Sequence, residues 1–328
     1  MKDQMVWVFA AILLAGCDQN GSPASSPQST DVNSFQALSP EREASVFFKE
    51  AGGQFSNHYK SLRLNDLPLT DEELRALEKL PELEILDLSG TQISDSGVAS
   101  ISGLVFLRTL SLSNTAISDQ SLKHLLPLAD LRELYLKGTQ ITDDGLKLLT
   151  HLENLQVLDL SGDEISDQGL KGLTVLPKIR ELGLANTMIT DAGIERLTSF
   201  PNLQGLSLSG AHISDSGVET LKHMCTIELG ALGQHSRKGL YKLKRVDLSE
   251  TQITDASLEH MKMLQGLERL DVSETKLTAK SVAELVKALP ECKVKWLTVN
   301  AEGGRAEQGD SKQSDVDPAA SEVESDEM

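Results

Sequence analysis

The sequence predicts an α/β solenoid, a fold in which similar short units stack side by side. Within each unit, an alternation of period two gives way to apolar residues three apart, which indicates a short strand and then a helix. Aromatic residues are only 4% of the chain, as suits a core of stacked aliphatic layers. Aliphatic residues open the units at intervals of 24, first at Leu83, Leu107, Leu131, Leu155, Ile179 and Leu203, and again at Leu243 and Leu267.

The first unit that matches the pattern completely shows how it maps onto structure. Leu86 and Leu88 stand two positions apart, so one face of a short strand should point inward. Val98, Ile101 and Leu104 then form one apolar stripe of a helix. Each unit is therefore expected to give one strand and one helix to a common core.

Two polar columns accompany the repeats. Aspartates precede each helical stripe and are expected to cap the helices, because carboxylates suit the free N–H groups and the dipole of a first turn. These are Asp95, Asp119, Asp143, Asp167, Asp191, Asp215 and Asp255. Threonines stand where strand turns to helix, and we expect their hydroxyls to bond the turn backbone of neighbouring units. These are Thr91, Thr115, Thr139, Thr187, Thr251 and Thr275, with Asp163 at this position in the fourth unit.

The complete motif, L-x-x-L-x-L-x-x-T-x-I-[S/T]-D-x-G-L, resembles the leucine-rich-repeat family over residues 59–296. It looks like the ribonuclease-inhibitor and cysteine-containing subclass, with threonine at the cysteine position. The resemblance implies a right-handed horseshoe, with a parallel sheet on the concave face and helices on the convex face.

Repeats bury their apolar faces against neighbours, so the two ends of the solenoid need caps. A helix over residues 41–50, inside a capping segment 41–58, is expected at the N-terminal end. The solenoid itself is predicted over residues 59–300, with Trp296 shielding the last layer. Residues 301–328 carry nine acidic residues against two basic ones and are predicted to be a disordered tail.

The N-terminus carries a processing signal. An apolar run over residues 5–15 suits the core of a signal peptide, whereas a membrane-spanning helix takes about 20 residues. The segment Leu14-Ala15-Gly16-Cys17 resembles the bacterial lipobox, which implies acylation of Cys17 and membrane attachment on the extracytoplasmic side of the cell envelope. An ordinary secretory signal with an incidental cysteine is the alternative. Residues 1–16 are the predicted signal peptide, and residues 17–40 a flexible tether.

Composition and motifs argue against several functions. The net charge of -18 argues against a nucleic-acid partner, since phosphate binding needs a basic face. The sequence has no nucleophile elbow, no glycine-rich phosphate loop and no convergent metal ligands. The chain is therefore predicted not to be an enzyme, and to take no cofactor, metal or small-molecule substrate.

Histidines and cysteines are expected to be structural. His124, His223 and His260 each adjoin an apolar helix residue, which indicates partly buried side chains. Cys225 and Cys292 fall about three units apart, or roughly 15 Å at the spacing of neighbouring strands. That separation is too large for a disulfide, so two free, buried thiols are expected.

Polar side chains at the concave strand positions are the candidate binding residues. Tyr135 is the expected anchor, because tyrosine is enriched among residues that dominate binding energy. The alternative is an ordinary solvated strand face. The candidates are Asp87, Glu133, Tyr135, Lys137, Asp159, Glu181, Asp247, Arg269 and Asp271.

The repeat is broken between Leu203 and Leu243, which are 40 residues apart where two units would take 48. The irregular unit covers about residues 224–242, and a basic cluster in this acidic protein begins within it and ends just after it. One interpretation is a shortened repeat with a solvated loop, and the other is a protruding loop that contacts an acidic partner or anionic lipid. The cluster comprises His235, Arg237, Lys238, Lys242, Lys244 and Arg245.

These observations predict a membrane-anchored scaffold that binds a protein or peptide through its concave face. Two alternatives remain open at this point. One is a substrate-receptor role like that of F-box leucine-rich-repeat proteins, although no F-box precedes the repeats. The other is a structural protein of the envelope.

Overall fold

The computed structural model describes residues 39–56, 58–173, 176–225, 243–299 and 305–307. The predicted signal peptide, Cys17 and nearly all of the tether lie outside the described residues. The same holds for residues 226–242, which include most of the irregular unit.

Within the described residues the main sheet has eleven strands in chain order, which confirms the predicted α/β solenoid. The first two strands pair antiparallel, and every later neighbour is parallel. The strands are β1 Gln54–Ser56, β2 Ser61–Arg63, β3 Ile85–Asp87, β4 Thr109–Ser111, β5 Glu133–Tyr135, β6 Val157–Asp159, β7 Glu181–Gly183, β8 Gly205–Ser207, β9 Arg245–Asp247, β10 Arg269–Asp271 and β11 Lys293–Lys295.

The register follows directly from the repeat length. Leu86 pairs with Leu110, and so on in steps of 24, because each unit returns the chain to the same height in the sheet. Across the irregular segment Leu206 pairs with Val246, so β8 and β9 are neighbours although these residues are 40 positions apart. The parallel sheet therefore continues without a gap.

Short helices stack on the other side of the core. The α-helices are α1 Pro40–Glu50, α2 Asp95–Val98, α3 Asp143–Leu149, α4 Asp167–Leu173, α5 Asp191–Leu197, α6 Asp215–Cys225, α7 Leu258–Met261 and α8 Ala279–Ala288. Four segments are 3₁₀ helices: Glu73–Lys79, Ala99–Ile101, Ser121–Leu125 and Asp255–Ser257. An apolar spacing of three matches the three residues per turn of a 3₁₀ helix, which places Leu122 and Leu125 of the segment Ser121–Leu125 on the buried side.

The core is one aliphatic column supplied by strands and helices alike. Leu134 and Leu158 on neighbouring strands are fully buried, as are Leu146 and Leu170 on the helices beside them. Burying one leucine side chain contributes about 2 kcal/mol, so each unit depends on the contact surfaces of its neighbours.

The repeated aspartates join one unit to the next, and the prediction that they cap their own helices was wrong, because the preceding serine or threonine is the cap. Asp119 accepts the backbone N–H of Thr142 at 2.9 Å and its hydroxyl at 2.7 Å. Thr142 is the cap itself, because its hydroxyl oxygen accepts the N–H of Asp144 at 3.3 Å. The glycine of the motif is explained too, since a Cβ at Gly145 would overlap the Asp119 carboxylate.

The prediction for the threonine column was wrong at five of its six positions, the exception being Thr139, whose hydroxyl donates to Asp163 of the next unit. The Thr91 hydroxyl donates to the carbonyl of Leu88, three residues earlier in its own unit, at 2.6 Å. Thr187 makes the same bond to Leu184 at 2.7 Å. The tight turn after the strand brings this carbonyl within reach, so the hydroxyl needs no partner from a neighbouring unit.

The N-terminal end is covered by α1 and β1. Ser39 caps α1, Pro40 occupies the first helical position, and Phe48 is fully buried against the first repeat. The helix predicted over residues 41–50 is therefore present, one residue longer. None of the described helices is long and apolar enough to cross a membrane.

The C-terminal end is built from the last repeat and a small second sheet. Trp296 is half-buried against the core, as predicted. Strand β12, Leu297–Val299, pairs antiparallel with β13, Arg305–Glu307, so these last three residues form a strand where a disordered tail was predicted. Cys292 is a free, buried thiol, as expected, and burial raises its pKa to about 11. The Cys225 side chain lies outside the described residues.

Candidate binding groove on the sheet

The outward strand positions form one side of the sheet, here termed the groove face, which corresponds to the predicted concave face. The register aligns them in two columns. The first column is Ser61, Ile85, Thr109, Glu133, Val157, Glu181, Gly205, Arg245, Arg269 and Lys293. The second is Arg63, Asp87, Ser111, Tyr135, Asp159, Gly183, Ser207, Asp247, Asp271 and Lys295.

Between β5 and β11 the groove face encloses a groove of about 940 Å³. Seven of the nine predicted candidates line it: Tyr135, Lys137, Asp159, Glu181, Asp247, Arg269 and Asp271. Glu133 lies beside Tyr135 at the edge, and Asp87 lies two strands away on β3. The register thus brings most of the predicted set to one surface.

Tyr135 stands at the N-terminal end of the groove among carboxylates. Its hydroxyl donates to Glu133 Oε2 at 3.3 Å, and the Thr109 hydroxyl donates to the same oxygen at 3.2 Å. Burial, followed by the negative charges of Glu133, Asp159 and Glu181, raises the pKa of Tyr135 to about 12. The phenol therefore stays protonated at neutral pH and can donate a hydrogen bond.

The aspartates of the second column are fixed by their own strands. One oxygen of Asp159 accepts the backbone N–H of Ser161 at 3.0 Å, and Asp247 and Asp271 accept from the serines two residues later at 3.0 and 2.9 Å. A carboxylate held in this way presents its charge from a defined position. Rigid groups of this kind cost little entropy when a ligand binds.

Two glycines in the middle of the groove make room for the carboxylates of the preceding strands. Gly183 and Gly205 lie at groove-face positions of neighbouring strands, and a Cβ on either would overlap the carboxylate beside it, Asp159 or Glu181. Above Gly205 the Arg245 guanidinium reaches from β9 and forms an ion pair with Glu181 on β7. Burial raises the pKa of Glu181, and Arg245 partly offsets that effect.

The structure separates the predicted basic cluster into two parts. Lys244 and Arg245 belong to the start of β9 and not to a protruding loop, because both backbone N–H groups bond the Gln204 carbonyl. Lys244 also forms an ion pair with Glu268 at 2.6 Å. The remaining members, His235, Arg237, Lys238 and Lys242, lie outside the described residues.

Asp163 lies directly behind the groove, next to the lining residues Ser161 and Gly162. It is only 3% exposed, and its Oδ1 accepts the Thr139 backbone N–H at 2.6 Å and the Thr139 hydroxyl at 3.1 Å. Within the described residues its other oxygen, Oδ2, is buried with no hydrogen-bond partner. Burial raises the pKa of Asp163 to about 7, and the charge of Asp159 acts in the same direction.

Sequence reasoning missed several features of the groove. Lys293 and Lys295 extend both columns by one strand, and the 24-residue spacing from Arg269 and Asp271 would have found them. The need for glycine at positions 183 and 205 could not be found in this way, because it depends on which side chains extend over a neighbouring strand. Among the described residues no three His, Cys, Asp or Glu side chains are grouped to hold a metal ion.

Models of leucine-rich repeats match three segments of the chain, residues 81–141, 151–173 and 201–222. These segments are leucine-rich repeats, and they coincide with the stacked strand–helix units described above. No curated protein sequence matches the chain.

Several solved structures are similar to the chain. A leucine-rich-repeat protein of Leptospira interrogans has 23% identity and a TM-score of 0.47 over 72% of this chain and 60% of its own. An internalin of Listeria monocytogenes has 20% identity and a TM-score of 0.45 over 72% of this chain and 79% of its own. A plant peptide hormone receptor, solved in complex with RGF2, has 20% identity and a TM-score of 0.42 over 73% of this chain and 36% of its own. The chain thus spans less than two thirds of the Leptospira protein and of the plant receptor.

Proposed function

We propose that the chain is a binding scaffold whose groove face holds a protein or peptide partner. The observation that carries this proposal is the groove between β5 and β11, which is lined by Tyr135 and by charged side chains of both signs. A groove of this length suits an extended polypeptide, and its mixture of charges suits a protein surface better than a nucleic acid. The leucine-rich repeats support the same class of function.

Within this function, Tyr135 is the proposed anchor and the charged positions around it supply specificity. Its ring is half-buried and its hydroxyl donates to Glu133, so a partner can bury the ring and donate a hydrogen bond to the phenol oxygen at little entropic cost. The residue with which Arg245 pairs, Glu181, lies two strands away from Tyr135. A partner that lies across strands β5 to β9 would therefore contact both Tyr135 and the Glu181–Arg245 ion pair.

The proposal is tested by photo-crosslinking in the native host. A photoreactive residue in place of Ser207, on the groove floor, should give one discrete crosslinked partner. The same residue in place of Lys147, exposed on α3, is the matched control and should not give that product. Equal labelling from both positions, or none from Ser207, would contradict the assignment of the groove.

We further propose that the chain is a lipoprotein anchored through Cys17 on the extracytoplasmic side of a bacterial envelope. The lipobox-like segment at residues 14–17 supports this proposal, as does the Ser- and Pro-rich stretch that follows. The repeats are assigned to the subclass with threonine at the cysteine position on their motif alone.

The anchor can be tested separately from the groove. Metabolic labelling with a fatty-acid analogue should mark the full-length chain, and the Cys17→Ala variant should lose the label. Equal labelling of both proteins would refute the anchor without affecting the proposed binding surface.

A further inference from the structure

The C-terminal end of the groove carries four cations on three neighbouring strands. These are Arg245 on β9, Arg269 on β10, and Lys293 and Lys295 on β11, here termed the basic end. Three of them share the first column, where register pairs place Arg269 between the other two. Neighbouring strands lie about 4.8 Å apart, so the three charges are close enough to repel one another.

Some of this charge is already neutralised. Arg245 forms an ion pair with Glu181, and Lys295 forms one with Asp271 at 2.8 Å. Asp247 also faces this end from the second column, but one of its oxygens is held by the backbone N–H of Ser249. Nearby Glu268 is engaged by Lys244.

Two adjacent cations remain. Arg269 and Lys293 are exposed, and within the described ranges neither forms an ion pair with a carboxylate. Register pairing makes these two residues direct neighbours in the sheet, at the end of the groove. The pair therefore favours an acidic occupant.

The chain itself supplies an acidic segment close to this end. Strand β12 begins two residues after Lys295, and β13 ends at Glu307. Residues 308–328 then carry a single lysine, Lys312, against seven acidic residues. These are Asp310, Asp315, Asp317, Glu322, Glu324, Asp326 and Glu327.

Length and charge both allow this segment to occupy the basic end. A stretch of 21 residues can reach up to about 70 Å, whereas the basic end spans two strand spacings, or about 10 Å. An untethered acidic molecule would be repelled at long range by the net charge of the protein. A covalently attached segment is present at an effective concentration near the millimolar range, so weak short-range attraction is sufficient.

We propose that the acidic segment 308–328 binds the basic end of the groove through Arg269 and Lys293. Bound there, it covers the C-terminal part of the groove and leaves the end at Tyr135 open. This inference does not rest on the proposed function, because it concerns two parts of one chain.

Zero-length coupling of carboxylates to lysine amines tests the contact in the full-length protein. At low ionic strength, links from segment 308–328 to Lys293 or Lys295 should exceed links to Lys280, which lies at the same end of the molecule but on α8, by about tenfold. The Arg269→Glu variant should lower the yield at Lys293 and Lys295 by about fivefold. Glutamate is tolerated in this column at positions 133 and 181, so the fold should be retained.

Two controls make the result decisive. Arg63→Glu reverses a charge on the groove face at β2 and should leave the links unchanged, and the Lys244–Glu268 link, across 2.6 Å, should keep its yield in every variant. Equal coupling at Lys280, or no effect of Arg269→Glu, would overturn the proposal. Links formed only between isotope-labelled and unlabelled chains would also overturn it, since the occupant would then be a second copy.

Discussion

The two sides of the solenoid use the same residue types for different purposes. On the helix side an aspartate recurs in the described repeats and binds the serine or threonine cap of the next unit, as Asp143 does with Ser166. On the groove face the residue changes from strand to strand, and only Asp87, Asp159, Asp247 and Asp271 are aspartates in the second column. A position repeated in each unit holds the units together, whereas a position that varies is available for recognition.

The largest expected effect comes from the residue that breaks a repeated column. Asp163 replaces threonine and has a pKa of about 7, raised above its ordinary 3.8. A raised pKa in the folded state means that stability is fully present below pH 3.8 and is lost as the pH rises through 7. The effect of Asp163→Thr on the unfolding free energy should therefore be more favourable at pH 8 than at pH 4 by about 4 kcal/mol.

Urea denaturation of Asp163→Thr and the unchanged protein at both pH values measures this difference. Glu164→Gln serves as the control, because it removes the exposed carboxylate next in the chain and should change the unfolding free energy little at either pH. A gain for Asp163→Thr that is the same at pH 4 and pH 8 would contradict the assigned titration.

The second effect tests the contrast between the two sides directly. Asp143→Ala removes two hydrogen bonds between units, to the Ser166 backbone N–H at 2.8 Å and to its hydroxyl, and should cost about 3 kcal/mol. Asp159→Ala on the groove face removes one bond, to the Ser161 N–H, and should cost about 1 kcal/mol. If urea denaturation shows equal losses of unfolding free energy for the two variants, the proposed difference between the helix side and the groove face would be contradicted.

A smaller effect on stability is expected from a substitution at Gly205 in the groove. Gly205→Ala places a Cβ against the Glu181 carboxylate, so the ion pair with Arg245 must shift, and stability should fall by about 1–2 kcal/mol. Gly103→Ala is the matched control, because a Cβ there meets nothing within 4 Å. In thermal denaturation, Gly205→Ala should melt at a clearly lower temperature than Gly103→Ala. Identical melting temperatures would mean that position 205 tolerates a side chain.

The smallest effect concerns the pKa of Tyr135. Ultraviolet titration of the full-length protein should contain a tyrosine component near pH 12 that Tyr135→Phe removes. Glu133→Gln should move this component to lower pH, because it takes away one of the negative charges that disfavour the phenolate. A component that does not respond to Glu133→Gln would contradict the described surroundings of Tyr135.

Much of the fold could be predicted from the sequence because the repeat length fixes the register. Once Leu86 and Leu110 are known to be equivalent, the neighbouring residue pairs of the parallel sheet follow, except between β8 and β9, where the step is 40 residues. Periodicity does not say whether a side chain bonds within its own unit or to the next one. Most of the threonine hydroxyls were therefore assigned to the wrong unit, and the linking role of Asp119 was missed.

The candidate site was predictable only in part for the same reason. Alternation placed Tyr135, Asp159 and Arg269 on one face of the sheet, where the structure has them. The ion pair above Gly205 was not predictable, because it requires the Glu181 and Arg245 side chains to be long enough to meet across the strand between them. Contacts between side chains of different units do not follow from the spacing of the repeats.

The affinity of the crosslinked partner tests the central claim most directly. Tyr135→Ala combined with Asp159→Ala should weaken binding to the full-length chain by at least about tenfold, because it removes the anchor and a fixed charge. Lys147→Ala combined with Glu195→Ala, on α3 and α5, should leave the affinity unchanged. If the helix-side pair weakens binding and the groove pair does not, the partner binds elsewhere and the assignment of the groove is wrong.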